Sequence, residues 1–156
     1  MSISAIGHIG ICVSDMERSL RFWRDGLGFE IVGGGNRFRN AWSKILELDG
    51  LDMHNWIMRR DHMTLELMCF DKPGHVGTGE PRPWNQLGFT HIAVWCSDID
   101  AVEKLIVEYG GRVLESSRTV FTHPNLHGKW LICTDPDGVR VELVQYPEGE
   151  KNLVER

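Results

Sequence analysis

A short pattern occurs twice in this chain, and it limits the possible folds more than any other feature. Residues 7–19 read GHIGICVSDMERS and residues 90–102 read THIAVWCSDIDAV, so a histidine precedes an aspartate by seven positions in each, His8 before Asp15 and His91 before Asp98. Each copy later closes with a carboxylate inside an apolar run, TLELMCF at 64–70 and RVELVQY at 140–146, which supplies Glu66 and Glu142. Whatever unit one copy folds into, the other should fold into as well, each using roughly half of the chain. The repeat also sets two imidazoles and two carboxylates at matching positions.

Residues 7–13 alternate, with His8, Gly10 and Cys12 on one face of a strand and Ile9, Ile11 and Val13 on the other. Ser14 with Glu17 three residues on predicts a capping box and a helix over about 15–25, with Leu20 and Trp23 inward and Leu27 just past the Gly26/Gly28 stop. In the second copy His91, Ala93 and Trp95 share a face, Ser97 and Asp100 cap, and a helix over about 99–109 ends at Gly110–Gly111. Three strands should follow each helix: about 29–33, 44–59 in one or two pieces and 63–70 in the first copy, then 112–120, 129–134 and 139–146 in the second. Arg60–Asp61 is the expected hairpin turn of the first copy, and Asp135–Pro136–Asp137–Gly138 that of the second. The repeated unit is therefore β–α–β–β–β and the fold class α+β. The segments divide as a first module over 1–70, a Gly- and Pro-rich linker over 71–88, a second module over 89–146 and a polar tail over 147–156.

Composition narrows the function. A net charge of −5 without a cluster of Lys and Arg argues against nucleic acid as a partner. No apolar run approaches the length of a membrane span, and the opening MSISAIGHIGICV lacks a basic segment and a cleavage site, so neither a membrane protein nor a secreted one is expected. Cys12, Cys69, Cys96 and Cys133 lie in apolar runs without CxxC spacing and read as buried reduced thiols, which favours the cytoplasm. A small-molecule substrate is the partner that remains.

Alternation puts Thr64, Glu66 and Met68 opposite Leu65 and Leu67, and Arg140, Glu142 and Val144 opposite Val141 and Leu143. The aliphatic residues should pack beneath the helices, leaving each His and Glu on the other, concave side of its sheet. Two carboxylates on an unsolvated face need positive charge beside them. His8, Glu66, His91 and Glu142 together make a nitrogen–oxygen ligand set that suits a divalent Mn, Fe, Co, Ni or Zn ion. Folding 53–59 onto 63–69 about Arg60–Asp61 places Asn55 across from Glu66, and Asn55, Thr64, Trp95 and Arg140 share ligand faces as candidate substrate contacts.

The segments HIGICVSDMERSLRFWRDGLGFEIV, GFTHIAVWCSDIDAV and TDPDGVRVELVQ resemble the vicinal-oxygen-chelate superfamily, which includes glyoxalase I, bleomycin-resistance proteins, extradiol dioxygenases and epimerases. The resemblance spans about 5–146 and implies paired βαβββ modules closing an eight-stranded, barrel-like cavity around a metal held by His8, Glu66, His91 and Glu142. Within the superfamily, glyoxalase I carries a glutathione-binding arginine four residues after the first ligand, where this chain has Cys12, and often an asparagine where it has Phe70. Extradiol dioxygenases keep three protein ligands and favour a tyrosine where LIC stands at 131–133. Methylmalonyl-CoA epimerase adds a glutamate where Asn55 stands. The segment RPWNQLGFTHIAVW looks most like the branch containing epimerases of cyclitol ketones such as 2-epi-5-epi-valiolone. A homodimer is common in these families and stays open beside a monomer.

The resemblance implies a metal-dependent epimerase that moves a proton next to a carbonyl through an enediolate, with Glu142 as base and Glu66 as its counterpart. The alternatives are a glyoxalase I-like lyase, an extradiol dioxygenase and a non-catalytic protein that keeps its metal as structure. Other features read more plainly. His54, His62, His123 and His127 sit in or beside loops and should face solvent, although THPNLHGKW, holding the last two, could form a rim or lid. Trp84, Trp95 and Trp130 should pack rather than line a pocket, with only Trp95 on a ligand face. The glycines at 33–35 lack the GKS/T ending of a phosphate loop and read as a flexible strand exit. The halves differ most at Asn55 against Leu131 and Cys12 against Trp95, where specificity should lie.

Overall fold

The computed structural model describes residues 2–123 and 126–149, in two compact units, 1–78 and 79–156. The architecture is α+β, with one sheet in each unit. In the first unit β1 (Ile9–Val13), β2 (Glu30–Arg39), β3 (Asp52–Arg60) and β4 (Met63–Lys72) form a sheet of order β1-β4-β3-β2. β1 and β4 are parallel and the remaining pairs antiparallel. The alternation expected of β1 and β4 is present, since Ile11, Val13, Leu65, Leu67 and Cys69 are buried while Gly10 and Cys12 are exposed and Glu66 and Met68 lie between.

The first helix starts one residue later than expected and changes form. Asp15, in extended backbone, accepts a hydrogen bond from the Arg18 amide at 2.9 Å and is the cap of α1 (Met16–Leu20), while Ser14 takes the Arg18 guanidinium at 2.6 Å. The helix then widens into a π-helical turn over Arg21–Gly26, closed by the Leu27 amide on the Phe22 carbonyl at 2.9 Å. The wider turn lets adjacent Phe22 and Trp23 both be wholly buried, and Trp23 meets Phe22 and Phe29 edge-on at 5.3 and 5.7 Å. With Leu65, Leu67 and Met58 these rings make the first core.

Three expectations for this unit need correction. Residues 44–59 are not all strand, because α2 (Ala41–Leu46) precedes β3, ending at Glu47 in a left-handed conformation. The glycines at 33–35 are not a strand exit but a bulge inside β2, whose pairing with β3 slips between Ile31 and Gly33 and again between Gly34 and Arg37. The hairpin turns at Asp61 and His62, one residue past Arg60–Asp61, with Asp61 at φ 50° and Arg60 paired to Met63.

The second unit repeats the plan with β5 (His91–Trp95), α3 (Ile99–Glu108), β6 (Arg112–Val113), β7 (Thr119–His123), β8 (Leu126–Thr134) and β9 (Arg140–Gln145). β5 and β9 are parallel, β9 pairs with β8, and β6 and β7 pair with successive stretches of β8. The cap of α3 is Asp98, accepting from the Asp100 and Ala101 amides at 3.1 Å, in place of the expected Ser97 and Asp100. The repeated aspartate of the opening motif is thus a helix cap in both units. The strand expected at 112–120 is divided by a 3₁₀ turn over Glu115–Ser117, so the described residues hold nine strands rather than eight. Ser117 explains the break: its hydroxyl accepts the Ile132 amide at 2.8 Å and donates to the Leu114 carbonyl at 2.6 Å, replacing ladder bonds with side-chain ones. The turn at 135–138 is as expected, with buried Asp135 accepting from the Asp137 and Val139 amides at 2.9 and 2.8 Å. Leu131, Cys133, Val141 and Leu143 are wholly buried and, with Ile99 and Ile106, form the second core. No helix among the described residues is long and apolar enough to cross a membrane. Of the segment assigned to a polar tail, 150–156 lies outside the described residues, as do residues 124–125 of the THPNLHGKW stretch.

Candidate metal centre

In the first unit His8 stands directly before β1, and its Nε2 lies 2.9 Å from Glu66 Oε2 on β4. Register explains the meeting: Gly10 is opposite Glu66, so His8 projects from the same face two residues earlier. Gly10 leaves that face open, since a Cβ there would lie 3.3 Å from Met68 Sδ. The other oxygen of Glu66, Oε1, accepts a bond from Asn55 Nδ2 at 2.5 Å. Because the hairpin turns one residue late, Asn55 pairs with Met68 and reaches Glu66 diagonally, and Ile57 is the residue across from Glu66. The shift of two keeps Asn55 on the expected face. Asn55 is 2% exposed and Glu66 15% exposed, so the bond is shielded from water. Thr64, also on this face, accepts a long bond from Arg59 Nε at 3.4 Å.

The second unit holds the corresponding pair. His91 Nε2 lies 3.2 Å from Glu142 Oε2, with His91 opposite Arg140 and Ala93 opposite Glu142 in the parallel register. Here the second ring nitrogen is engaged too, as His91 Nδ1 lies 2.9 Å from the Thr90 hydroxyl. A proton on Nδ1 directed at Thr90 leaves the Nε2 lone pair for a cation. Trp84 meets the His91 ring edge-on at 5.4 Å, and the Arg140 guanidinium lies over the Trp84 ring, 4.4 Å from its centroid.

The surroundings of the two glutamates differ. The residue matching Asn55 in register is Trp130, which pairs with Val144 as Asn55 pairs with Met68. Leu131, expected to be that counterpart, is wholly buried on the opposite face. Trp130 therefore shares a ligand face along with Trp95, packing edge-on with Phe121 and Tyr146 at 5.1 and 5.6 Å. Trp84 and Thr90 were not expected beside a ligand: Trp84 lies in the segment read as a connection, and Thr90 directly precedes the strand that carries His91. Trp95 is 47% exposed, and Cys12, at the matching position, is exposed rather than buried. Cys69 and Cys133 are buried and Cys96 is intermediate, and none of the four is in a disulfide. Burial pushes the Cys96 thiol up to about 11 and that of Cys133 to about 12, so both stay protonated.

Another cluster lies on the opposite face of the first sheet. His54, Cys69 and Asp71 each bring a donor atom within 4.8 Å of the others, although His54 was expected simply to face solvent. His54 Nδ1 lies 3.3 Å from Asp71 Oδ2, and the same oxygen takes the Arg37 guanidinium at 2.8 Å. Arg37 already neutralises the carboxylate that a cation would need. His62 occupies the β3–β4 turn, His123 ends β7 and His127 lies near the start of β8.

A 2-epi-5-epi-valiolone epimerase from Actinomyces sp. is 24% identical over 93% of this chain and 81% of its own length. A probable lactoylglutathione lyase from Synechocystis sp. is 29% identical over 88% of this chain and 92% of its own. The fold matches the crystal structure of a glyoxalase family protein from Bacillus cereus with a TM-score of 0.76 and 17% identity, over 93% of this chain and 95% of that one. The Actinomyces and Synechocystis relatives carry enzyme names, of two different reaction classes. The family model of the glyoxalase/bleomycin resistance protein/dioxygenase superfamily matches residues 5–143, and the chain belongs to that superfamily.

Proposed function

We propose that the chain is a divalent-metal-dependent epimerase acting at a carbon next to a carbonyl, with His8, Glu66, His91 and Glu142 as the four ligands of one ion. The observation that carries this reading is the same in both units: an imidazole Nε2 and a carboxylate oxygen face each other at 2.9 and 3.2 Å from one side of a sheet. The donors fit a cation, since imidazole nitrogens and carboxylate oxygens facing each other in pairs suit a borderline divalent metal. When bound, such an ion would supply Lewis acidity toward a substrate carbonyl oxygen and so favour an enediolate.

The chain's own residues divide the remaining work. Asn55 donates to Glu66 Oε1 and holds its rotamer, so Glu66 is the positioned carboxylate of the two. Glu142 has only His91 as a polar side-chain partner among the described residues, and is the carboxylate free to turn to a substrate proton. Glu142 then acts as base and keeps the proton it takes, while Glu66, having taken a proton from solvent, is the counterpart that returns it on the other side; the two carboxyl groups reset by exchange with solvent. A cyclitol ketone such as 2-epi-5-epi-valiolone is the proposed substrate, supported by the Actinomyces relative. The cysteines without disulfides suit a reducing compartment, and we place the protein in the cytoplasm.

Deuterium incorporation into a 2-keto cyclitol, followed by NMR in D2O with metal-loaded protein, tests the reading. Exchange at the epimerised carbon is expected, falling by at least about 100-fold in Glu142→Gln with the metal retained. No exchange across cyclitol ketones would overturn it. A lyase reading is favoured by the Synechocystis relative, and thioester formation from methylglyoxal and glutathione would establish that reading instead.

A further inference from the structure

We infer that Arg140 and Trp84 form a subsite for an anionic group of the substrate, a carboxylate or a phosphate, next to the His91–Glu142 pair. Arg140 is 9% exposed, and its Nε is buried without a hydrogen-bond partner. Among the described residues no carboxylate pairs with this guanidinium: Glu142, two residues on and on the same face, is directed to His91 instead. The guanidinium lies over the plane of Trp84, and Trp84 in turn touches the His91 ring. A buried guanidinium without an anion is costly, and stacking on an indole offsets only part of that cost. Arg37, Arg112 and Arg118 have carboxylate partners, and Arg59 and Arg82, which bond only a hydroxyl or backbone carbonyls, are exposed; among the described residues Arg140 is the arginine that is both buried and without a carboxylate.

The spacing defines the ligand. Arg140 and Glu142 are separated by two strand residues, roughly 6–7 Å. A compound that presents a hydroxyketone to the His91–Glu142 end and an oxyanion a few bonds away would span both. The planar fork of the guanidinium suits two oxygens of such a group. This assignment deepens the epimerase reading and rests on it for the placement of the hydroxyketone. Within that reading it narrows the substrate to a hydroxyketone, cyclic or open, that also carries a carboxylate or a phosphate.

Calorimetric titration of metal-loaded protein with three probes tests the subsite: hydroxyacetone, dihydroxyacetone phosphate and 5-hydroxy-4-oxopentanoate. At least one charged probe should bind about tenfold or more tightly than hydroxyacetone, and the better of the two tells phosphate from carboxylate. Arg140→Met should abolish the difference while leaving affinity for hydroxyacetone unchanged, and Arg140→Lys should restore part of it. Equal binding of charged and neutral probes, absence of binding by all three, or a preference that survives in Arg140→Met would overturn the subsite. Metal uptake, read separately by competition with a chromogenic chelator, distinguishes the two levels. Failure to take up metal counts against the four-ligand reading, and the charge preference is then read on the metal-free protein.

Discussion

Glu66 and Glu142 occupy matching positions in the repeat but not matching surroundings, and the difference lies in one neighbour. Asn55 gives Glu66 a donor at 2.5 Å, whereas the register-equivalent residue beside Glu142 is Trp130, whose indole packs against Phe121 and Tyr146. Groups that hold a metal ligand in place commonly change affinity by about 10–100-fold when removed. Asn55→Leu should therefore weaken divalent-metal binding at least about tenfold, measured by chelator competition, with the folded state verified by circular dichroism. Unchanged affinity would mean that Asn55 does not position Glu66. At this scale the ligand candidates were legible because the His and the Glu recur in register with strand alternation. Their neighbours were less so. Placing the hairpin turn one residue early paired Asn55 with the wrong residue but preserved its face, since a shift of two leaves strand parity unchanged. The same parity argument assigns Leu131, the residue set against Asn55 from the sequence, to the core, and Trp130 to the ligand face. Arg140 was recognisable as sharing a face with Glu142, but its missing partner is visible only in three dimensions.

Regular elements followed their patterns, and the departures occur where a side chain or a glycine replaces a backbone interaction. Both caps lie one residue beyond Ser14 and Ser97, because aspartate is as good a cap as serine and an S-D pair leaves the choice to geometry. The division between β6 and β7 depends on two bonds of the Ser117 hydroxyl, which no periodicity signals. The bulge in β2 is the element whose sequence cue was most open to misreading. Gly34 has φ 97°, and a Cβ there would lie 2.6 Å from Trp56 Cα, so the two strands approach too closely for any side chain. Neighbouring Gly33 would meet nothing nearer than Ile57 Cβ at 3.9 Å. Gly34→Ala should thus destabilise the protein by about 2 kcal/mol or more, and Gly33→Ala by under about 1 kcal/mol, in urea unfolding. Equal losses at both positions would show that Gly34 is not the tight point of the bulge.

At the scale of the molecule, duplication makes two units with the same chain path, each with its own core and each with one His–Glu pair. Two pairs of this kind could bind two ions weakly and independently, or one ion tightly. A pair of ligands alone is a poor site for a divalent cation, whereas four protein ligands make a closed one. The thermodynamics of the two cases differ, because an ion that binds only the native state stabilises it by about 2.7 kcal/mol at 100 times its dissociation constant. If one ion uses ligands from both units, His8→Ala and His91→Ala should each remove most of the metal-dependent rise in melting temperature. The double variant should then lose little more than either single one, a strongly non-additive cycle. Independent sites would give losses that add, with about half of the rise remaining in each single variant. Melting curves of the four proteins with and without excess metal decide between them. Additive losses would overturn the shared site while leaving the fold and the superfamily assignment intact.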